Sequence, residues 1–93
     1  MIETSCYQLM PVANITQAEQ ILSDFRELMV LGQAIEIDAS LVERIDTSVL
    51  QLLVSLKKSL SENQLQLTWT ATSDDFNRAV IASGVNQYLE INS

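Results

Sequence analysis

The sequence contains no histidine, and with it go the commonest general base, the commonest zinc ligand and every histidine-dependent nucleophile relay. Cys6 is the single cysteine, so no intrachain disulfide can form and a zinc site of the usual composition is excluded; a lone cysteine also fits a reducing compartment. Basic residues number only 5 against 12 acidic, a net charge of -7. Such a surface repels nucleic-acid phosphates and anionic lipid headgroups, and neither is expected as a direct ligand. No apolar run exceeds the four residues of Leu28 to Leu31, whereas a membrane span needs about twenty, so no membrane insertion is expected. Met1-Ile2-Glu3-Thr4-Ser5 has neither the basic nor the apolar region of a secretory signal, and the expectation is a cytoplasmic protein. With 2 Gly and 1 Pro there is no linker, low-complexity tract or phosphate-cradling glycine loop.

What is present is enough for one core. Across 93 residues, 47% are apolar and 18% charged, which predicts a single folded domain over residues 1–93. Ser5 to Val12 reads as a short strand, with Tyr7 and Leu9 on one parity and Cys6, Met10 and Val12 on the other; Pro11 closes it or places it at an edge. From Thr16 the period changes. Ala18, Leu22, Phe25 and Met29 recur at helical spacing, Thr16 and Glu19 form a capping-box pattern, and Gly32 supplies a left-handed stop.

Ala34 to Asp38 then alternates with period two, Ile35 and Ile37 against Glu36 and Asp38, which predicts a strand covered on one side. After a loop of about eight residues, Val49, Leu53, Leu56 and Leu60 mark a second helix, the most buried of the chain, ending near Asn63. Leu65, Leu67, Trp69 and Ala71 alternate with Gln64, Gln66, Thr68 and Thr70 as a third strand, with Trp69 assigned to the core. Ser73 or Asp74 caps a last helix through Phe76, Ala79 and Val80, stopped at Gly84, and Val85 to Ile91 adds a final turn or strand. Strand-helix alternation argues for an α/β domain with a small mixed or parallel sheet, and the one-sided strands place the helices mainly on one face.

The informative stretch is Val42 to Leu53, where a loop enters the buried helix at Ile45-Asp46-Thr47-Ser48-Val49-Leu50. Free N–H groups and the positive end of the helix dipole meet there, a place suited to a capping hydroxyl, a carboxylate or a phosphate. The plain structural reading has Asp46 or Thr47 capping the helix and nothing more.

Ile35-Glu36-Ile37-Asp38-Ala39-Ser40, a short loop and Ile45-Asp46-Thr47-Ser48-Val49-Leu50 together resemble the core of a STAS domain, the module of anti-sigma-factor antagonists and sulfate-transporter tails. Asp46, Thr47, Ser48 and Leu50 fall in register with that family's signature of an aspartate, two small residues, glycine and leucine, and Phe76 to Tyr88 resembles its closing helix and Ser-Gly turn. The resemblance implies a non-catalytic protein–protein interaction module of bacterial signalling. In the antagonist branch it implies phosphorylation of Ser48, with Thr47 second, by a partner serine kinase, which weakens docking. Val49 departs from the pattern, a β-branched residue standing where the family has glycine and narrowing access to Ser48. Related forms accompany chemotaxis kinases, and a small single-domain form serves as the cytoplasmic accessory subunit of a lipid-transporting ABC ATPase, with the position of Thr47 marking the docking face.

The expected partner-binding face is Arg44, Asp46, Thr47, Ser48, Gln51 and Ser55, Arg44 because arginine favours interfaces. No cofactor and no metal are expected. Two of the carboxylates Asp38, Glu43 and Asp46 could form the acid/base pair of an enzyme, but no nucleophile-base combination accompanies them. Nucleotide binding at the helix start is the remaining alternative. Asp74 and Asp75 read as dipole-compensating caps rather than a metal pair, and Cys6 as a small buried hydrophobe.

Overall fold

Along the central strand, Ile35, Ile37 and Ala39 are fully buried while Ala34, Glu36 and Asp38 are only half-buried, the alternation of a strand packed on one side. A computed structural model describes residues 4–91. The central strand is β3 (Ala34–Ala39), flanked in parallel by β1 (Thr4–Gln8) and β5 (Leu67–Thr72) in the order β1-β3-β5. A two-residue parallel ladder joins β2 (Val12–Ala13) to β4 (Arg44–Ile45). The helices α1 (Ile15–Val30), α2 (Thr47–Glu62) and α3 (Asp74–Ala82) alternate with the strands. Parallel neighbours need crossover helices to reach one another, which fixes this order.

The three helices share one core with the sheet. Ile21 and Phe25 of α1, Val49, Leu50, Leu53, Leu56 and Leu60 of α2, and Phe76 and Val80 of α3 cluster with Leu9, Ile35, Ile37 and Leu67. Five buried residues make α2 the most deeply packed helix, as its apolar stripe predicts. Leu53 is fully buried, and truncating it to Ala would cost about 2–5 kcal/mol. On the opposite face of the sheet the side chains are polar: Gln8 Nε2 donates to Asp38 Oδ2 at 3.2 Å, and Cys6 Sγ lies 3.8 Å from Glu36 Oε1.

Several sequence expectations are corrected. The stretch Ser5 to Val12 is not one strand: β1 ends at Gln8, and Pro11, which has no N–H to give, separates it from β2. Cys6 is exposed, because Tyr7 and Leu9 hold the inward parity. The capping box of α1 is made by Asn14 and Gln17 rather than Thr16 and Glu19: Asn14 Oδ1 accepts from Thr16 N at 3.0 Å and Gln17 Oε1 accepts from Asn14 N at 3.2 Å. β5 starts at Leu67, since Leu65 belongs to the turn after α2, where Gln64 takes φ +60°. A bulge opposite Ile37 and Asp38 then pairs Trp69 and Ala71 with consecutive residues of β3, and Ala71 leaves the buried parity. Trp69 is half-buried beside the core, its Nε1 donating to Leu89 O at 2.9 Å.

Other expectations hold. Ser73 caps α3, its Oγ accepting from Phe76 N at 3.0 Å while donating to Val42 O. Gly32 and Gly84 follow α1 and α3 with φ of +64° and +74°, the left-handed conformation that glycine adopts without a Cβ penalty. Asn63 ends α2. Residues 86–90 form turns.

Candidate functional site

The entry to α2 is held from below by the segment that precedes α1. Pro11 O accepts both Glu43 N at 2.7 Å and Arg44 N at 3.0 Å, and Ala13 O accepts Asp46 N at 2.9 Å. Asp46 occupies the N-cap position of α2, and its carbonyl accepts Val49 N and Leu50 N. Its side chain caps no donor of its own helix. Instead Oδ2 accepts the N–H of Ile15, the first residue of α1, at 2.9 Å. The starts of α1 and α2 are thus tied side by side.

From this junction the exposed side chains follow the helix. Thr47, Gln51 and Ser55 are spaced by four and all exposed, so they form one stripe along α2; Arg44 and Asp46 are exposed beside its start. Arg44 makes no ion pair among the described residues. Of the six residues expected from the sequence, five therefore share a solvent-facing surface. Ser48 does not join them. It is half-buried, and its Oγ is enclosed with no hydrogen-bond partner among the described residues. Val49 next to it is fully buried with no positive φ, so the residue in the glycine position of the pattern is accommodated by core packing without backbone strain.

The three carboxylates considered for acid/base chemistry serve different places. Asp38 lies on the open sheet face, where Oδ1 accepts Ser40 N at 2.9 Å; hydrogen bonding from Ser40, with a smaller contribution from Gln8, holds its carboxyl below the usual carboxylate range. Asp46 is engaged with Ile15 and Glu43 faces solvent. Asp75 pairs with Arg78, and among the described residues no group of three or more metal-ligating side chains gathers. No described helix is long and apolar enough to cross a membrane.

The Asp46–Ile15 bond was not foreseeable from local pattern, because it joins residues 31 apart and an Asp before a helix reads first as a cap of that helix. A second feature also escaped sequence reading. An apolar groove of about 400 Å³ runs between α1 and α2, formed where the stripes of two separate helices meet.

Among curated proteins none matches the chain. The family model described as Mlab, STAS domain, matches residues 12–91, the whole span from β2 through the turns that follow α3. That match and the strand-helix order observed agree, and the chain belongs to the STAS domain family, whose members generally act as non-catalytic interaction modules.

Proposed function

We propose that this chain is a non-catalytic docking module of bacterial signalling that binds a protein partner through Arg44, Asp46, Thr47, Gln51 and Ser55. The observation that carries the reading is the exposed stripe of Thr47, Gln51 and Ser55 beginning at a helix terminus clamped by Asp46 to α1. A preorganised surface loses little conformational freedom on binding, and an exposed arginine such as Arg44 at its edge, without an ion pair among the described residues, is a common interface anchor. The partner classes implied by the family resemblance are a serine kinase of the anti-sigma kind or a chemotaxis kinase complex.

A second reading is favoured by one observation. The enclosed, unpartnered Oγ of Ser48 supports a constitutive contact centred on the exposed hydroxyl of Thr47 over a switch at Ser48, because a kinase must reach the oxygen it modifies. Constitutive docking at Thr47 matches the form in which a small STAS protein serves as the cytoplasmic accessory subunit of a lipid-transporting ABC ATPase. Nucleotide binding has less support, since the first turn of α2 carries no basic side chain and no glycine.

The test is affinity capture from native lysate with the wild type, Thr47→Arg, Ser48→Ala and Ser48→Glu side by side, with partners and hydroxyl phosphates identified by mass spectrometry. A kinase lost on Ser48→Glu, together with Ser48 phosphate in the wild type, supports the signalling switch. An ABC ATPase lost on Thr47→Arg but retained by Ser48→Ala supports the constitutive subunit. A partner held equally by all variants would place docking elsewhere on the molecule.

A further inference from the structure

The groove between α1 and α2 is a second exposed surface, separate from the stripe at the start of α2 except for Ser55 at its border. Leu22, Met29 and Val30 line it from α1, and Leu52 and Leu56 from α2. Val30, within the lining, is 85% exposed, and Leu31, next in sequence and outside the lining, is 58% exposed. Two adjacent large aliphatic residues left this open at the end of a packed helix are an unusual use of surface in a small domain.

One charge lies in this apolar surface. Arg26 lines the groove and, like Arg44 and Lys58, makes no ion pair among the described residues. In a chain of net charge -7, an exposed cation beside an apolar groove, with no acidic partner among the described residues, offers a pairing site for a carboxylate from outside. From Leu22 to Val30 the groove runs along about 12 Å of helix, room for two turns of a partner helix with apolar anchors spaced by three and four. An acyl chain with an anionic head would fill the groove but leave Leu31, which lies outside its lining, in water, so a helix fits the whole patch better.

We propose that the α1–α2 groove binds an amphipathic helix of a partner protein, its apolar stripe seated on Leu22, Met29, Val30, Leu52 and Leu56 and a flanking Asp or Glu paired with Arg26. This is helix-in-groove recognition, and it stands whether or not the face at Thr47 is a docking site.

The test uses the full chain, isotope-labelled, with two synthetic helical peptides of identical leucine stripe, one flanked by Glu and the other by Lys. The whole-molecule charge of -7 favours the Lys peptide by long-range attraction, so a preference for the Glu peptide has to come from the groove. The expected result is that the Glu peptide shifts the amides of residues 22–30 and 52–59, binds about threefold more tightly than the Lys peptide as expected for one surface pair, and loses that preference on Arg26→Glu. Val30→Asp, at a position too exposed to threaten folding, should weaken both peptides. Preference for the Lys peptide, or shifts away from the groove, would overturn the proposal. So would equal shifts from dodecanoate alone, which would assign the groove to a lipid, or concentration-dependent shifts without peptide, which would assign it to a second copy of the chain.

Discussion

The carboxylate of Asp46 caps a helix other than the one it precedes: its Oδ2 accepts the N–H of Ile15 at 2.9 Å, while its carbonyl starts α2. One residue thereby serves two helix N-termini, each of which carries donors in need of an acceptor. Negative charge is favourable to both dipoles. The family signature places an aspartate here, and in this chain its side chain fixes how the candidate docking face is presented.

Replacing Asp46 by Ala removes the acceptor of Ile15 N and should lower stability by about 1 kcal/mol, the usual cost of a lost cap. Asp46→Asn keeps an oxygen within reach and should lose less than half of that. Hydrogen exchange separates this cross-helix role from an ordinary cap: the amide of Ile15 should lose protection in Asp46→Ala, while those of Val49 and Leu50, bonded to the carbonyl, should keep theirs. Loss confined to the first turn of α2 would refute the cross-helix assignment.

Ser48 and Thr47 should respond oppositely to charge. Ser48→Glu places a carboxylate where the Oγ is enclosed without a partner, and thermal or urea unfolding should show a loss of at least about 2 kcal/mol. Ser48→Ala removes an unsatisfied hydroxyl and should leave stability unchanged or slightly raised. Thr47→Glu adds a negative charge in the exposed first turn of α2 and should be neutral or stabilising by a few tenths of a kcal/mol. If Ser48→Glu melts with the wild type, the oxygen is reachable and a phosphorylation switch at Ser48 regains its physical basis.

The capping box gives a direct comparison of pattern and geometry. Asn14→Ala should cost about 1 kcal/mol and Gln17→Ala a fraction of that, whereas Glu19→Ala, at an exposed position outside the box, should change unfolding by less than about 0.5 kcal/mol. A larger effect at Glu19 than at Asn14 would restore the sequence-based placement. The helix itself was legible because Leu22, Phe25 and Met29 repeat at its period; its start was not, since Asn14 and Thr16 are both good caps and the choice fell to the β2–β4 ladder, which delivers the chain into α1 at Asn14. The same contrast runs through the molecule. Ile35 and Ile37 declared their strand by parity, but the bulge after Trp69 left no mark in an uninterrupted alternation. Thr47, Gln51 and Ser55 stand four apart and so share an exposed helix face, while the enclosure of Ser48 depends on packing that local sequence does not encode.

Tyr7 ties β1 to α1 through a hydrogen bond from its hydroxyl to Asp24 Oδ2 at 2.7 Å, and its ring meets Phe25 edge-on at 5.3 Å between centroids. Partial burial, then the bond to Asp24 and the charge of that carboxylate, push the phenol well above its ordinary value. A folded pKa raised in this way favours the protonated form, so its contribution to stability is complete below the unfolded value of about 10 and is lost as pH rises above it. Urea unfolding between pH 8 and pH 11.5, a range set by that unfolded value of about 10, should show stability falling on the alkaline side. In Tyr7→Phe the fall should be smaller, because the titrating hydroxyl is gone, and the variant should be less stable at neutral pH by about 1 kcal/mol for the lost bond. An alkaline slope unchanged in Tyr7→Phe would show that the Tyr7–Asp24 contact holds the sheet edge without titrating with it.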